Sequence, residues 1–599
     1  MKRRHQMPFG TEAVTDGVRF RLWAPKHDRV RLNIVGDQQL HLMRAVHDGW
    51  HELATDKVSP GSLYQFVLPD GMHVPDPASR FQPLDVHGPS EVIDPAEYEW
   101  DDADWRGRPW EECVVYELHV GAFTPEGTFR AAIGRLDFLR DLGVSAVELM
   151  PIADFPGRWN WGYDGVLLFA PDSSYGRPED LKAFIDAAHQ RNIAVLLDVV
   201  YNHFGPDGHY LPRYSPIFTE KHKTPWGTAV NFDGEGSKTV REMVVDNALY
   251  WVNEFNLDGL RLDAVHAIID DSEEHILDVI ARRIRESTSG RHVHLILENE
   301  ANQASRLFRT VDGEPRQFTA QWNDDVHHVL HTAAIGETSG YYADYAGDTG
   351  KLGRALAEGF AFQGEIMHYR GSPRGEPSAA LPPTAFVAFI QNHDQVGNRA
   401  FGDRLGSLAA PEVVRAVVAI YLLAPQIPMI FMGEEWAAAQ PFPFFCDFDG
   451  GLAEAIRNGR RAEFAKFPEF RDPERRERIP DPTARETFMS AKLGWNEAAR
   501  GPHAEWLSFY RKLLSLRQAE IIPRLRGIQG NSGRHELLGN GAVLVQWALG
   551  DGSWLSLATN LSAKPVETHR TGGRDIFSIG SVENDRLGAW SVVWSLHGG

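Results

Sequence analysis

Residues 193–203 read IAVLLDVVYNH: five apolar residues, an aspartate, two valines, then Tyr201, Asn202 and His203. A short run that is apolar on both faces predicts a strand buried on two sides, as in a parallel sheet. Just upstream, Leu181, Phe184, Ile185 and Ala188 recur at helical spacing. Further upstream the same grammar appears once more, with an apolar run from Val114 to Val120, a stripe of Phe129, Ala132, Ile133 and Leu136, and a second run from Val144 to Met150. Downstream, strands are predicted over Asn256 to Asp263, Val293 to Glu298, Phe318 to Trp322, Phe386 to Gln391 and Ile427 to Met432. Eight strands with helices between them most simply close into an α/β fold of the (β/α)8 TIM barrel type.

The flanks follow a different pattern. Val18, Phe20 and Leu22, then Val30, Leu32 and Ile34, then Tyr64, Phe66 and Leu68 alternate with polar residues, and Pro60-Gly61 and Pro69-Asp70-Gly71 supply turns. They predict an N-terminal β-sandwich domain over residues 1–100. The last barrel helix carries Trp506, Phe509, Tyr510 and Leu513. Beyond it Val543, Val545 and Trp547, the turn Gly550-Asp551-Gly552, and Leu555 and Leu557 predict a C-terminal β-sandwich domain over 522–599. The barrel then occupies 101–521, with a short insertion after its third strand.

Composition narrows the partners. Across 599 residues, 61 Lys+Arg stand against 82 Asp+Glu, a net charge of −21 that repels phosphate backbones and anionic lipid, so neither nucleic acid nor membrane is expected. The run Ala416 to Met432 is broken by Pro425 and Pro428 and reads as a helix, a turn and a strand. Cys113 and Cys446 can form at most one disulfide and no cysteine-based zinc site. The opening MKRRHQMPFGTEAVTDG has no apolar stretch behind its basic residues, which together with the cysteine count predicts a cytoplasmic protein. Oligomeric state is left open.

Reactive groups of a TIM barrel lie where its strands end. Here those ends hold Glu117 and His119, Asp198 and His203, Arg261 and Asp263, Glu298, and His393 and Asp394. A charged carboxylate in an apolar strand costs several kcal/mol if unpaired, so its repetition at one barrel mouth implies convergence of Asp263, Glu298 and Asp394. Paired carboxylates, with no glycine-rich phosphate loop, point to glycoside cleavage by one acid and one nucleophile or stabilising carboxylate. Bringing a glutamate from about 4.3 to near working pH costs about 3 kcal/mol, and repulsion from Asp263 and Asp394 with partial desolvation can supply that for Glu298. Asp263, beside Arg261, is then the ionised nucleophile. A metal hydrolase built on His119, Asp198, His203 and His393 is the competing chemistry, but no H-x-H or H-E-x-x-H spacing supports it.

These segments resemble, in the same order, the four signature regions of the α-amylase family of retaining α-glucan enzymes, from about Val114 to Gln518. The resemblance implies that Asp263 is the nucleophile, Glu298 the acid and then base, and Asp394 a grip on the sugar's 2- and 3-hydroxyls. It implies supporting contacts from His203, Arg261 and His393, oriented by Asp198. Tyr163 of WGYD is implied as an aromatic platform, and His266 and Gln395 as further substrate contacts. The family pattern also favours Glu298 over Glu300 as the acid. In QWNDDVHH (Gln321 to His328), Asn323, Asp324 and His327 are expected to touch substrate, or Asn323 or Asp324 to cap a helix.

Asn202 stands where many calcium-dependent members bind the ion. The segment from His203 to Ser237 holds no evident cluster of oxygen ligands, so no metal and no cofactor is expected. FRLWAP (Phe20 to Pro25) resembles the β-sandwich that precedes branching, debranching and trehalose-releasing members, while Ala153 to Gly176, DVVYNHFGPDGHYL (Asp198 to Leu211), TPWGTAVNFDG (Thr224 to Gly234) and MGEEWAAAQPFPFF (Met432 to Phe445) resemble the trehalose-releasing branch of the family. That implies hydrolysis of the α-1,4 bond next to the terminal trehalose of a trehalose-capped α-1,4-glucan. A glucan branching enzyme shares the catalytic residues and differs in its acceptor; a scaffold that binds glycan without chemistry is the third alternative.

Overall fold

The computed structural model describes every residue except 16, 467–469, 570–571, 584 and 599. Eight parallel strands close a barrel in chain order: β1 (Val115–Leu118), β2 (Ala146–Leu149), β3 (Ala194–Val199), β4 (Gly259–Leu262), β5 (His294–Leu297), β6 (Ala320–Trp322), β7 (Phe386–Ala388) and β8 (Ile427–Phe431). All eight predicted runs are strands, each shorter than its apolar run except at the ends that coincide. Gly259 opens β4 because a Cβ there would lie 2.2 Å from the carbonyl oxygen of His294 on β5. The register pairs Asp198 with Arg261 on β3 and β4, so the two side chains leave the sheet on the same side.

Four helices matter for the site and the domain contacts: α1 (Pro178–His189), α2 (Ser237–Glu254), α3 (Asp324–Ile335) and α4 (Pro411–Leu423). The run that opens at Ala416 is thus the end of α4, a turn and β8. The stripe Phe129 to Leu136 is broken into two helices, Phe129–Ile133 and Leu136–Leu142, because Gly134 caps the first.

Two antiparallel sheets precede the barrel, one built on Gly17–Trp23 and Trp50–Thr55, the other on Arg31–Ile34 and Leu63–Val67. Phe20, Tyr64 and Phe66 are fully buried among them. Arg80 fastens this unit to the barrel: its Nε and Nη2 each lie 3.3 Å from Glu254 at the end of α2, with both side chains buried. After the barrel, a five-stranded antiparallel sheet includes Ala542–Ala548, Trp554–Asn560 and Ser591–His597. Its buried Trp594 stacks on Trp547 and donates its indole N–H to the carbonyl of Ala419 in α4 at 3.0 Å.

Cys113 and Cys446 are both buried and unpaired. Among the described residues no helix is long and apolar enough to cross a membrane.

Candidate active site

The carboxylates meet on one guanidinium. Arg261, on β4 and fully buried, donates from Nη1 to Asp198 Oδ2 at 2.7 Å and to Asp263 Oδ1 at 2.8 Å, and its Nη2 faces Glu298 Oε2 at 3.2 Å. The guanidinium lies over the ring of Trp322 at 4.1 Å, so one face is covered by an aromatic wall while its edge serves three acids. Two carboxyls held by a single planar group are close enough to work on one glycosidic bond.

The backbone assists. Ala264, directly after Asp263, adopts a left-handed conformation (φ 41°, ψ 47°), unusual for a residue with a Cβ, and its N–H donates to Glu298 Oε2 at 2.6 Å. The Ala264 N–H and the charge on Arg261 Nη2 therefore both fall on Oε2, and among the described residues Oε1 of Glu298 has no hydrogen-bond partner.

Opposite stands His393, whose Nδ1 lies 2.5 Å from Glu117 Oε1 and whose Nε2 lies 3.5 Å from Asp394 Oδ1. Tyr163 stacks on His393 at 5.0 Å and donates its hydroxyl to Asp198 at 2.6 Å. A cavity of about 800 Å³ opens over this floor.

Burial sets the protonation states. It raises the Glu298 carboxyl to about 7, with Asp263 and Asp394 adding repulsion and Arg261 opposing. It pushes Asp263 upward too, against the pull of Arg261, so Arg261 does not by itself hold that carboxyl in the ordinary range. Two acids this close titrate as a pair. For His393 burial works against the charge, but Asp394 and Glu117 outweigh it and carry the imidazole up to about 9, which leaves it cationic at neutral pH. Asp324 is raised to about 7 by burial and by Glu298.

Of the residues singled out from sequence, Asp263, Glu298, Asp394, Tyr163, His203, His266, His393, Gln395 and Asp324 line this cavity, with Arg261 beneath them. Asn323 and His327 do not. Asn323 is fully buried as the N-cap of α3, accepting from Val326 N–H and donating to the carbonyl of Gly359. His327 points into the protein, bonded to the carbonyl of Ile390 and the hydroxyl of Tyr342, and its neighbour His328 reaches the cavity instead. Glu300 also lies at the cavity, half-exposed and 3.6 Å from both His266 and Arg370. His119 lies deeper, capping a short helix and bonded to the carbonyl of Asn160.

Sequence reading missed Trp161, Trp226, Tyr341, Arg374 and Phe444 in the lining. Trp161 stands in the same WGYD segment as Tyr163, and Trp226 and Phe444 stand in TPWGTAVNFDG and MGEEWAAAQPFPFF, so their neighbourhoods were visible; Tyr341, in the short helix Gly340–Asp344, and Arg374 carry no periodic signal.

The segment after β3 contributes His222 and Asp233 to a small group completed by Asp271 from beyond β4. The ammonium of Lys221 lies 2.8 Å from Asp233 and 2.9 Å from Asp271, so a cation belonging to the protein already bridges the two carboxylates. The cluster was hidden because Asp271 comes from beyond β4.

Comparison with known proteins agrees with this geometry. The family model described as the α-amylase catalytic domain matches residues 90–222, and a domain of unknown function (DUF3459) matches 530–594. The malto-oligosyltrehalose trehalohydrolase of Saccharolobus solfataricus is 41% identical over 542 residues, covering 90% of this chain and 92% of that protein. That of Deinococcus radiodurans is 41% identical over 545 residues, covering 89% and 88%. A crystal structure from Salmonella typhimurium, described as a candidate α-amylase, superposes with a TM-score of 0.94 at 48% identity, covering 99% of this chain and 100% of that one.

Proposed function

The chain belongs to the malto-oligosyltrehalose trehalohydrolase family of α-amylase-type glycoside hydrolases, and from that premise we infer that Asp263, Glu298 and Asp394 divide one retaining cleavage among them. The enzyme hydrolyses the α-1,4 bond adjacent to the terminal trehalose of maltooligosyltrehalose and releases trehalose and a maltooligosaccharide. The observation that carries the division of roles is the shared guanidinium of Arg261, which holds Asp263 and Glu298 on one cavity floor.

Glu298, protonated near neutral pH, gives its proton to the glycosidic oxygen from Oε1, the oxygen not occupied by Ala264 N–H and Arg261. As the bond to the trehalose oxygen breaks, Asp263 bonds to the anomeric carbon and forms a covalent glycosyl ester. Glu298, now ionised, takes a proton from water. The resulting hydroxide attacks the same carbon, the ester breaks, and Asp263 and the proton on Glu298 are both restored. Charge developing on the sugar ring faces the carboxylates of Asp263 and Asp394 in a site organised before substrate arrives. Asp394, bonded by Asn398 and less buried than the other two, is placed to hold ring hydroxyls.

We assign the enzyme to the cytoplasm, a reading supported by its two buried thiols. The specificity is tested by supplying maltooligosyltrehalose and, separately, amylose, then assaying free trehalose and new α-1,6 bonds. Trehalose from the first and no branches from the second are expected. Branches without trehalose assign a branching enzyme, and silence from both assigns a scaffold.

A further inference from the structure

A second cavity, of about 450 Å³, lies among the segments that follow β7 and β8 and shares no lining residue with the first. Its most buried polar walls are Gln391, Arg404, Glu434 and Tyr510, and exposed Phe401 and Ala439 stand at its edge. Among the described residues, most polar groups on those walls already have partners, and Arg404 Nη2 is the exception. Glu434 Oε1 accepts the hydroxyls of Tyr421 at 2.5 Å and Tyr510 at 2.8 Å, and its Oε2 accepts Gln391 Nε2 at 3.1 Å. Arg404 donates from Nε to the carbonyl of Gln440 at 2.7 Å and from Nη1 to that of Met432 at 2.9 Å.

That arrangement leaves two groups unspent among the described residues, the Arg404 Nη2 donor and the Asp403 carboxylate, which suit the hydroxyls of a sugar, while a carboxyl whose two oxygens accept three donors offers little to a cation. What remains is a hollow with a fixed polar floor and walls of Ile390, Val414 and Trp506. A neutral molecule with hydroxyls on its edges and an apolar face fits such walls, and the volume falls within the range of about 300–1,000 Å³ usual for small-ligand sites. Ala437 in the wall is held left-handed (φ 52°, ψ 56°), a conformation that residues with a Cβ adopt at a cost and that accompanies functional loops.

We propose that this cavity is a second carbohydrate site, taking one mono- or disaccharide unit. Gln391 precedes His393 by two residues, so the bound sugar lies against the base of the segment that presents Asp394.

The test is equilibrium dialysis of labelled maltose against the Glu298→Gln protein, which cannot consume a ligand, and against the same protein carrying Gly406→Phe. Gly406 is exposed and lines the cavity, and a Cβ there meets only Ala437 Cβ at 3.8 Å, so a ring enters the hollow without moving backbone. Two classes of site are expected in the parent. Gly406→Phe should weaken one of them at least tenfold and leave the other, whose persistence shows that the variant is folded. Ala439→Trp is an independent blocking variant with the same expected result. A single class in the parent, or two classes that neither variant alters, overturns the proposal. Because the two cavities share no lining residue, either result leaves the reading of the catalytic site intact.

Discussion

Asp263 and Glu298 sit on one arginine yet require opposite protonation states, and burial raises both. Asp263→Ala and Glu298→Gln are each expected to lower kcat at least about a thousandfold with unchanged far-UV circular dichroism; a variant within tenfold of wild type loses its role. The acid must carry its proton, so kcat/KM should fall as pH rises through about 7, the value to which burial lifts Glu298. A profile flat to pH 9 would show that a different group donates the proton. Lowering the pH instead protonates the nucleophile, which makes the full profile a bell belonging to the pair. The main carboxylates were legible because a charge inside an apolar run has few explanations. Asn323 takes the cap that its sequence position offered as the alternative to a sugar contact, but His327 was not legible, because a polar cluster behind a strand fixes where α3 starts but not its rotational phase. Adjacent helical residues face about 100° apart, so His327 and His328 cannot share a direction, and Asn323 is spent on the cap.

Among the elements, the barrel strands announced themselves because both their faces are buried, which leaves uninterrupted apolar letters. Their ends were harder to read, since residues such as Val114 and Val200 stay buried after the ladder stops. The hairpin Phe218–Thr224 with Gly227–Val230 had no such signature, because FTEKHKT carries no apolar face. Its turn brings half-exposed Trp226 into the cavity lining, stacked on His203 at 4.9 Å with planes 7° apart. An aromatic face at a sugar site contributes about 0.5–1.5 kcal/mol, so Trp226→Ala should raise KM for the oligosaccharide by about two- to tenfold and change kcat by less than about twofold. Steady-state kinetics decide this: a collapse of kcat at constant KM would move Trp226 from binding into the chemistry.

Over the whole molecule, the number of units was legible from where period-two alternation gives way to strand-helix alternation. Their attachment was not, because it rests on contacts such as Arg80 with Glu254, 174 residues apart, which no local pattern encodes. Among the described residues the attachments include the buried pair Arg80 and Glu254 at the front and the Trp594 indole on α4 at the back. Removing residues 522–599 should therefore expose the apolar surface of α4 and yield aggregated or protease-sensitive barrel; a soluble, folded and active 1–521 fragment would refute this. Calorimetry of the full chain should show one unfolding transition, since breaking the front pair alone strands a charge in the protein interior. The seam also constrains how such an enzyme changes over evolutionary time. The end units cannot be exchanged like beads on a string, because each replacement must bring its own half of a buried joint. New specificities are then more readily reached by rewriting the surface loops at the barrel's open end, where an altered residue answers to the sugar and not to a neighbouring domain.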